Sequence, residues 1–163
     1  MSIPAVGKPA PDFSVVDSHS SPFTLSDFRG RGPLVLVFYR GHWCPFCRKQ
    51  LSRLQGNLAR ILERGAHLVA LSIDQPRISR ALAHELGLEF TLLSNPDSSV
   101  IDLYGIRNRL LGVESGIPHP AIFLIDVEGI VRFREVRHNY RRRVSPSRIL
   151  RELDRLIGAK SPA

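Results

Sequence analysis

The chain has 163 residues, 43% hydrophobic and 23% charged, which suits one soluble domain with a real core. No apolar run approaches a membrane span, and the start, MSIPAVGKPAPDF, lacks the basic flank and apolar stretch of a signal peptide, so no membrane segment is expected and the cytoplasm is favoured. The formal charge of +8, almost wholly arginine, would suit nucleic acid, but no nucleic-acid motif accompanies it.

In chain order, DFSVVD reads as a short strand, and FTLSDFRGRG as a polar turn with a second short extended piece. PLVLVFYR is a continuous apolar, β-branched run near glycines, the pattern of a buried strand. From Pro45 to about Arg64, Leu51, Leu54, Leu58, Ile61 and Leu62 recur at helical spacing, and Gly65 follows as a stop. HLVALSID is a second buried strand. PRISRALAHELG is a helix with proline in its first turn and glycine at its end.

FTLLSN then reads as a strand and DSSVIDLYG as a short helix, while residues 105 to 118 show no periodicity and read as an irregular insertion. AIFLIDVEGIVRFREV splits into two strands around a turn at Val127, Glu128 and Gly129. Arg132 and Arg137 alternate with apolar residues there and are assigned to the solvent face. RRR at Arg141 to Arg143 reads as a solvated loop. SPSRILRELDRLIG closes the chain as a helix capped by Ser145, with Pro146 at its first position and GAKSPA as a loose tail. A strand–helix–strand–helix unit followed by hairpin and helix predicts an α/β fold. The expectation is a mixed central sheet with helices on both faces, in a single domain over residues 1–163.

Both cysteines lie in YRGHWCPFCRKQL. Cys44 falls where the buried strand gives way to the helix, and Pro45 suits the first helical position, so Cys44 is placed at the cap. Free backbone N–H groups and the positive end of the helix dipole there stabilise a thiolate, the reactive form. Cys47 is nearly one turn on, a spacing that lets a disulfide close. No carboxylate occurs between Asp27 and Glu63, whereas several arginines do, Arg40 and Arg48 among them. Trp43 and Phe46 would supply an apolar contact surface. A zinc site needs four ligands, and His42, His67, His84, His119 and His138 lack the paired spacing of a zinc module. Two inert core thiols would be the bland alternative to a redox pair.

GKPAPDFSVVD, LVLVFYRGHWCPFCRKQL and HPAIFLIDVEGIVRF, in that order, resemble the peroxiredoxin-like AhpC/TSA (redoxin) branch of the thioredoxin fold over nearly the whole chain. That resemblance implies a thioredoxin fold and a cysteine-based, thiol-dependent peroxidase that forms a Cys44–Cys47 disulfide. Peroxide would be the substrate, and a thioredoxin-like dithiol the reductant, with no metal or organic cofactor. A homodimer is among the assemblies it allows. Laid without gaps on the family's active-site pattern, Cys47 takes the peroxide-attacking position, Cys44 the threonine position and Arg40 the proline position. The Cys-Pro-Phe-Cys motif also resembles thioredoxin-like reductases, in which the first cysteine attacks, and implies a thiol:disulfide oxidoreductase acting on protein disulfides. The cap position of Cys44 favours it as the attacking thiol. Pro120 matches the proline, usually cis, that sits beside the reductase site. His119 and His42 are candidate proton or hydrogen-bond donors, and Arg40 a candidate thiolate partner. A third reading, from another class, is a nucleic-acid-binding protein on the same scaffold.

Overall fold

The computed structural model describes residues 2–112 and 115–160. Its elements are β1 (Ser14–Asp17), β2 (Pro22–Thr24), β3 (Leu34–Phe38), α1 (Pro45–Gly56), α2 (Leu58–Glu63), β4 (His67–Ser72), α3 (Pro76–Leu86), β5 (Thr91–Ser94), α4 (Ser99–Leu103), β6 (Ala121–Ile125), β7 (Val131–Val136) and α5 (Pro146–Lys160). The strands form one mixed sheet in the order β2-β1-β5-β4-β3-β6-β7. β3, β4 and β5 run parallel, and β6 is antiparallel to β3.

Every residue of β3 is buried, as its unbroken apolar run requires of a strand covered on both faces. Its side chains alternate. Val35 and Val37 pack with Leu51 and Leu54 of α1, Ile61 of α2, Leu82 of α3 and Ile149 and Leu153 of α5. Leu34, Leu36 and Phe38 pack on the other face with Val100 and Ile101 of α4, Tyr104 and Phe123. Helices therefore cover both faces, as the periodicity predicts.

The single helix expected from Pro45 to Arg64 is two. Asn57 leaves the helical region at φ −113°, ψ 5°, and its Nδ2 donates to the Arg53 carbonyl at 2.9 Å. Asparagine competes for backbone groups in this way, and Gly56 beside it weakens the helix further. After the break Leu58 and Ile61 stay inside, but Leu62 is 50% exposed and is not part of the stripe. At the other end α5 runs to Lys160, so part of the expected tail is helical; residues 161–163 lie outside the described residues. The Ser145 cap is present, its Oγ accepting from Arg148 N at 3.2 Å.

Candidate active site

The sheet delivers both cysteines to one place. Past Phe38, Tyr39 N still donates to the Leu71 carbonyl at 3.0 Å, so the chain leaves β3 in a fixed direction. Residues 40–43 then turn into α1, with Cys44 at the cap (φ −88°, ψ 115°) and Pro45 in the first turn. The turn needs Gly41, because a Cβ there would lie 2.5 Å from Trp43 Nε1. Trp43 folds back against the backbone and stays 47% exposed.

Both thiols are free. The cap position predicts an exposed Cys44; instead it is 1% exposed and Cys47 is 0% exposed. The cover is aromatic and cationic. The buried Arg40 places its guanidinium 4.9 Å from the Trp43 ring and 4.3 Å from the Tyr140 ring, and Tyr140 packs edge-on to Phe46 at 5.6 Å. Tyr140 reaches the site from the loop between β7 and α5, a segment the cysteine motif gives no hint of.

Two arginines address the sulfurs. Arg40 Nη1 lies 3.6 Å from Cys44 Sγ, and Arg40 backbone N–H donates to Cys47 Sγ at 3.3 Å. Arg143 Nη2 donates to Cys47 Sγ at 3.3 Å, and its Nε to the buried Gln50 Oε1 at 3.1 Å. Arg143 therefore corrects the reading of RRR as solvated: Arg141 and Arg142 are exposed, but Arg143 turns inward. Sequence reasoning missed Arg143, Gln50 and Tyr140. Nothing in local periodicity marks an arginine 96 residues from Cys47 as its partner.

The two thiols differ. Burial opposes ionisation of Cys44, but the Cys47 N–H and thiol that face it and the Arg40 charge outweigh burial and lower its pKa below the usual thiol value. The Cys47 N–H does not close a full capping hydrogen bond; it acts as an oriented dipole. Cys47 moves the other way. Burial and the neighbouring Cys44 raise its pKa, against the Arg40 N–H and the Arg143 charge. The first proton lost from the pair is thus that of Cys44.

The remaining candidates are arranged around this pair. His42 N donates to Asp74 Oδ2 at 2.8 Å and its ring pairs with Asp74 Oδ1 at 3.1 Å, so His42 anchors the loop to the end of β4. Asp74 is buried, and a search for carboxylates near the cysteines in sequence cannot find it. Arg48 Nη1 donates to the His42 carbonyl at 3.0 Å and its Nη2 to Glu85 of α3 at 2.5 Å, bracing the same loop. Pro120 precedes Ala121, which pairs with Phe38, so it stands at the cysteine end of the sheet. The His119–Pro120 bond is trans, which overturns the expected cis bond: the described residues contain no cis peptide. His119 N donates to the Ile106 carbonyl at 2.7 Å, and Arg137 N donates to the Pro120 carbonyl at 2.8 Å, so ordinary backbone pairing holds the trans segment on both sides. The His119 ring packs edge-on against His138, centroids 4.5 Å apart, and burial, then His138, lowers its pKa. Among the described residues neither His119 nor His42 makes a hydrogen bond to a sulfur.

With the geometry in hand, the chain can be set against known proteins. The AhpC/TSA family pattern matches residues 6–134. The chain belongs to the AhpC/TSA family. It is 31% identical to alkyl hydroperoxide reductase E of Mycobacterium tuberculosis over 134 residues, covering 81% of this chain and 85% of that one. It is also 30% identical to the thiol-disulfide oxidoreductase ResA of Bacillus cereus, over 77% of this chain and 66% of that one. Peroxidoxin BcpB of Mycobacterium tuberculosis superposes with a TM-score of 0.81 at 23% identity, covering 98% of this chain and 99% of that chain, which shows the same fold. Family membership makes this chain a cysteine-based, thiol-dependent oxidoreductase of the peroxiredoxin kind. The family match stops before Tyr140 and Arg143, so part of the sulfur pocket's polar and aromatic cover lies beyond it.

Proposed function

We propose that the chain reduces hydroperoxides with Cys44 as the attacking thiol and Cys47 as the resolving thiol. The observation that carries this is the unequal pair. Cys44 sits at the helix start with a lowered pKa, and Cys47, one turn on, has a raised pKa and two donors aimed at its sulfur. The Cys44 thiolate attacks one oxygen of the peroxide. An S–O bond forms, the O–O bond breaks, and Cys44 is oxidised by two electrons to a sulfenic acid. The leaving alkoxide takes the Cys47 proton and departs as an alcohol, because an alkoxide is far more basic than even a raised thiol. The Cys47 thiolate so formed is held by Arg40 N–H and Arg143. It attacks the sulfenic sulfur, expels hydroxide, which leaves as water after protonation, and closes the Cys44–Cys47 disulfide. An external dithiol of the thioredoxin type restores both thiols by exchange and is itself oxidised. Trp43 and Phe46 are the exposed apolar surface on which that partner would dock.

Because both sulfurs are buried, the aromatic cover must shift before a partner protein can reach them. A cytoplasmic setting suits the reduced pair, and subcellular fractionation tests it. Whether the chain forms a homodimer is read by sedimentation. The decisive experiment mixes fully reduced protein with one equivalent of hydrogen peroxide and times thiol loss. Loss well above the rate of free cysteine, ending in an intrachain Cys44–Cys47 disulfide, is expected. Loss at the free-cysteine rate would leave the second reading, a thiol:disulfide oxidoreductase. The Cys-Pro-Phe-Cys motif and the likeness to ResA favour that reading, and reduction of a protein disulfide would detect it.

A further inference from the structure

At the cysteine end of the sheet, β6 and β7 each carry a histidine just beyond the strand. Ala121 pairs with Val136, so His119 and His138 stand across from each other past that last pair. Their rings meet edge-on with centroids 4.5 Å apart. His119 Nδ1 is buried without a hydrogen-bond partner, and His138 is exposed. No carboxylate accepts a proton's charge here: among the described residues the histidine paired with one is His42, on Asp74. The charged groups on the neighbouring elements are otherwise engaged. Arg137 Nε lies 3.7 Å from Glu135 Oε2. Arg107, next to the Ile106 carbonyl that receives His119 N, is bound to Asp102. Arg40 turns its guanidinium toward Tyr140 and Cys44.

His138 is also the point at which the covering segment leaves the sheet. The last sheet bond is that of Arg137 N to the Pro120 carbonyl, at 2.8 Å. From 138 to 144, among the described residues, the main chain bonds only within the segment, as from Arg142 N to the Asn139 carbonyl at 3.0 Å. Side chains alone hold the segment down: Tyr140 on Arg40 and Phe46, Arg143 on Cys47 and Gln50, and Val144 in the core. Few contacts therefore separate a closed segment from an open one.

We infer that His119 and His138 form a proton-operated hinge: when the pair takes up a proton, segment 138–144 swings out and opens the two sulfurs to a partner protein. Closed, a proton on His119 is half-buried, without an anion, and set against a second imidazole. Open, it is hydrated. Burial, then His138, accordingly lowers the His119 pKa in the closed form. A histidine whose pKa is lowered by closure contributes nothing against closure above the ordinary value of about 6.5, and opposes it increasingly as pH falls below that value. Mild acid thus favours the open segment. The same fall in pH protonates Cys44, so access and thiolate content move in opposite directions. The inference concerns access alone and holds whether the pair is oxidised by a peroxide or by a disulfide.

The test uses the whole reduced protein and a maleimide carried on a long polyethylene glycol, a probe too bulky to pass under a closed segment. Its rate at each pH is divided by the thiolate fraction, read independently from ultraviolet thiolate absorbance. The rate per thiolate is expected to rise on the order of fivefold from about pH 7.5 to about pH 5.5. In His119→Gln the profile is flat, and in His138→Gln, at an exposed position, the rise is reduced. His19→Gln, an exposed histidine of the β1–β2 turn, keeps the full rise. Tyr140→Ala reacts fast at every pH, because the segment has lost its hold on Arg40 and Phe46. A flat profile in the unmodified protein overturns the inference. So does a full rise in His138→Gln, which also decides the matter if His119→Gln fails to fold. A full rise in Tyr140→Ala overturns it as well, since the gate would then lie elsewhere. Slow peroxide reduction leaves all these outcomes readable, because the maleimide needs only a thiolate and an open path.

Discussion

Arg132 begins its work at the turn between β6 and β7, where its Nε donates to Asp126 Oδ2 at 2.7 Å. The other carboxylate oxygen accepts from Glu128 N and Ile130 N, each at 2.9 Å, so Asp126 closes the turn and the arginine satisfies what remains. Arg40 stands at the opposite end of the same sheet, because β6 runs antiparallel to β3. Among the described residues no carboxylate pairs with it. Its guanidinium lies between two aromatic rings, with one nitrogen toward Cys44 Sγ and its Nε without a hydrogen-bond partner. A cation that is already neutralised holds structure in place. A buried cation left without an anion lowers the energy of any negative charge that appears beside it, and here the nearest group able to become negative is a thiol. The same residue type thus stabilises the fold at one end of the sheet and ionises sulfur at the other.

The largest effect that sharpens this contrast comes from the sulfurs themselves. Cys44→Ser is expected to bring peroxide-driven oxidation down to the rate of an unassisted thiol, a loss on the order of a thousandfold. Cys47→Ser keeps a fast single turnover and stops at the sulfenic acid, detected by mass and by a sulfenic-acid trap. The opposite pattern, with fast oxidation of Cys47 in Cys44→Ser, would hand the attack to Cys47 and to the peroxiredoxin register.

Asp126→Ala should be the largest purely structural change. Two turn N–H groups and Arg132 lose their acceptor at once, which costs about 2–3 kcal/mol, read as a lower urea midpoint. The pH dependence of Cys44 alkylation is expected to stay where it is. A shift of that profile would break the proposed separation between the two ends.

Arg40→Met acts on the sulfur end. The pKa of Cys44 is lowered in the folded protein, so alkylation is fast above that pKa and slows as pH falls through it. Losing the guanidinium moves the fall to higher pH by roughly one unit, about a tenfold loss of thiolate near neutral pH. Iodoacetamide rates measured across pH read the shift. An unmoved profile would assign the lowered pKa to the helix start and the facing Cys47 groups alone.

How much of this was legible follows the range of the interactions. Strand β3, the start of α1 and the Cys44–Cys47 spacing are local patterns, written in alternating or helical periods and in Pro45, and each appears where expected. Leu62 and the helix break were missed because one asparagine side chain outweighs an unbroken apolar stripe. Exposure of Cys44 was misjudged because its cover comes from Arg40 and from Tyr140, 96 residues downstream, rather than from the helix that carries it. Asp74 and Arg143 reach the site through the sheet and the loop after β7. Their importance depends on which strand ends lie side by side, and no single-chain pattern states that.

Arg143→Gln carries the smallest predicted effect and the most specific one. Arg143 touches Cys47, not Cys44, and Gln50 fixes its direction. Cys47 must ionise only after Cys44 has been oxidised, so Arg143 should matter in the closing step and not in the first attack. Glutamine keeps a donor but removes the charge, and a loss of one charge-assisted bond of this kind slows disulfide closure by about fivefold to tenfold. Stopped-flow measurement separates the two phases, since sulfenic acid formation depends on peroxide concentration and disulfide closure does not. The concentration-independent phase is expected to slow, and the pH profile of Cys44 alkylation to keep its midpoint. If the first phase slows instead, Arg143 belongs with Arg40 on the attacking side, and the division of labour between the two arginines is wrong.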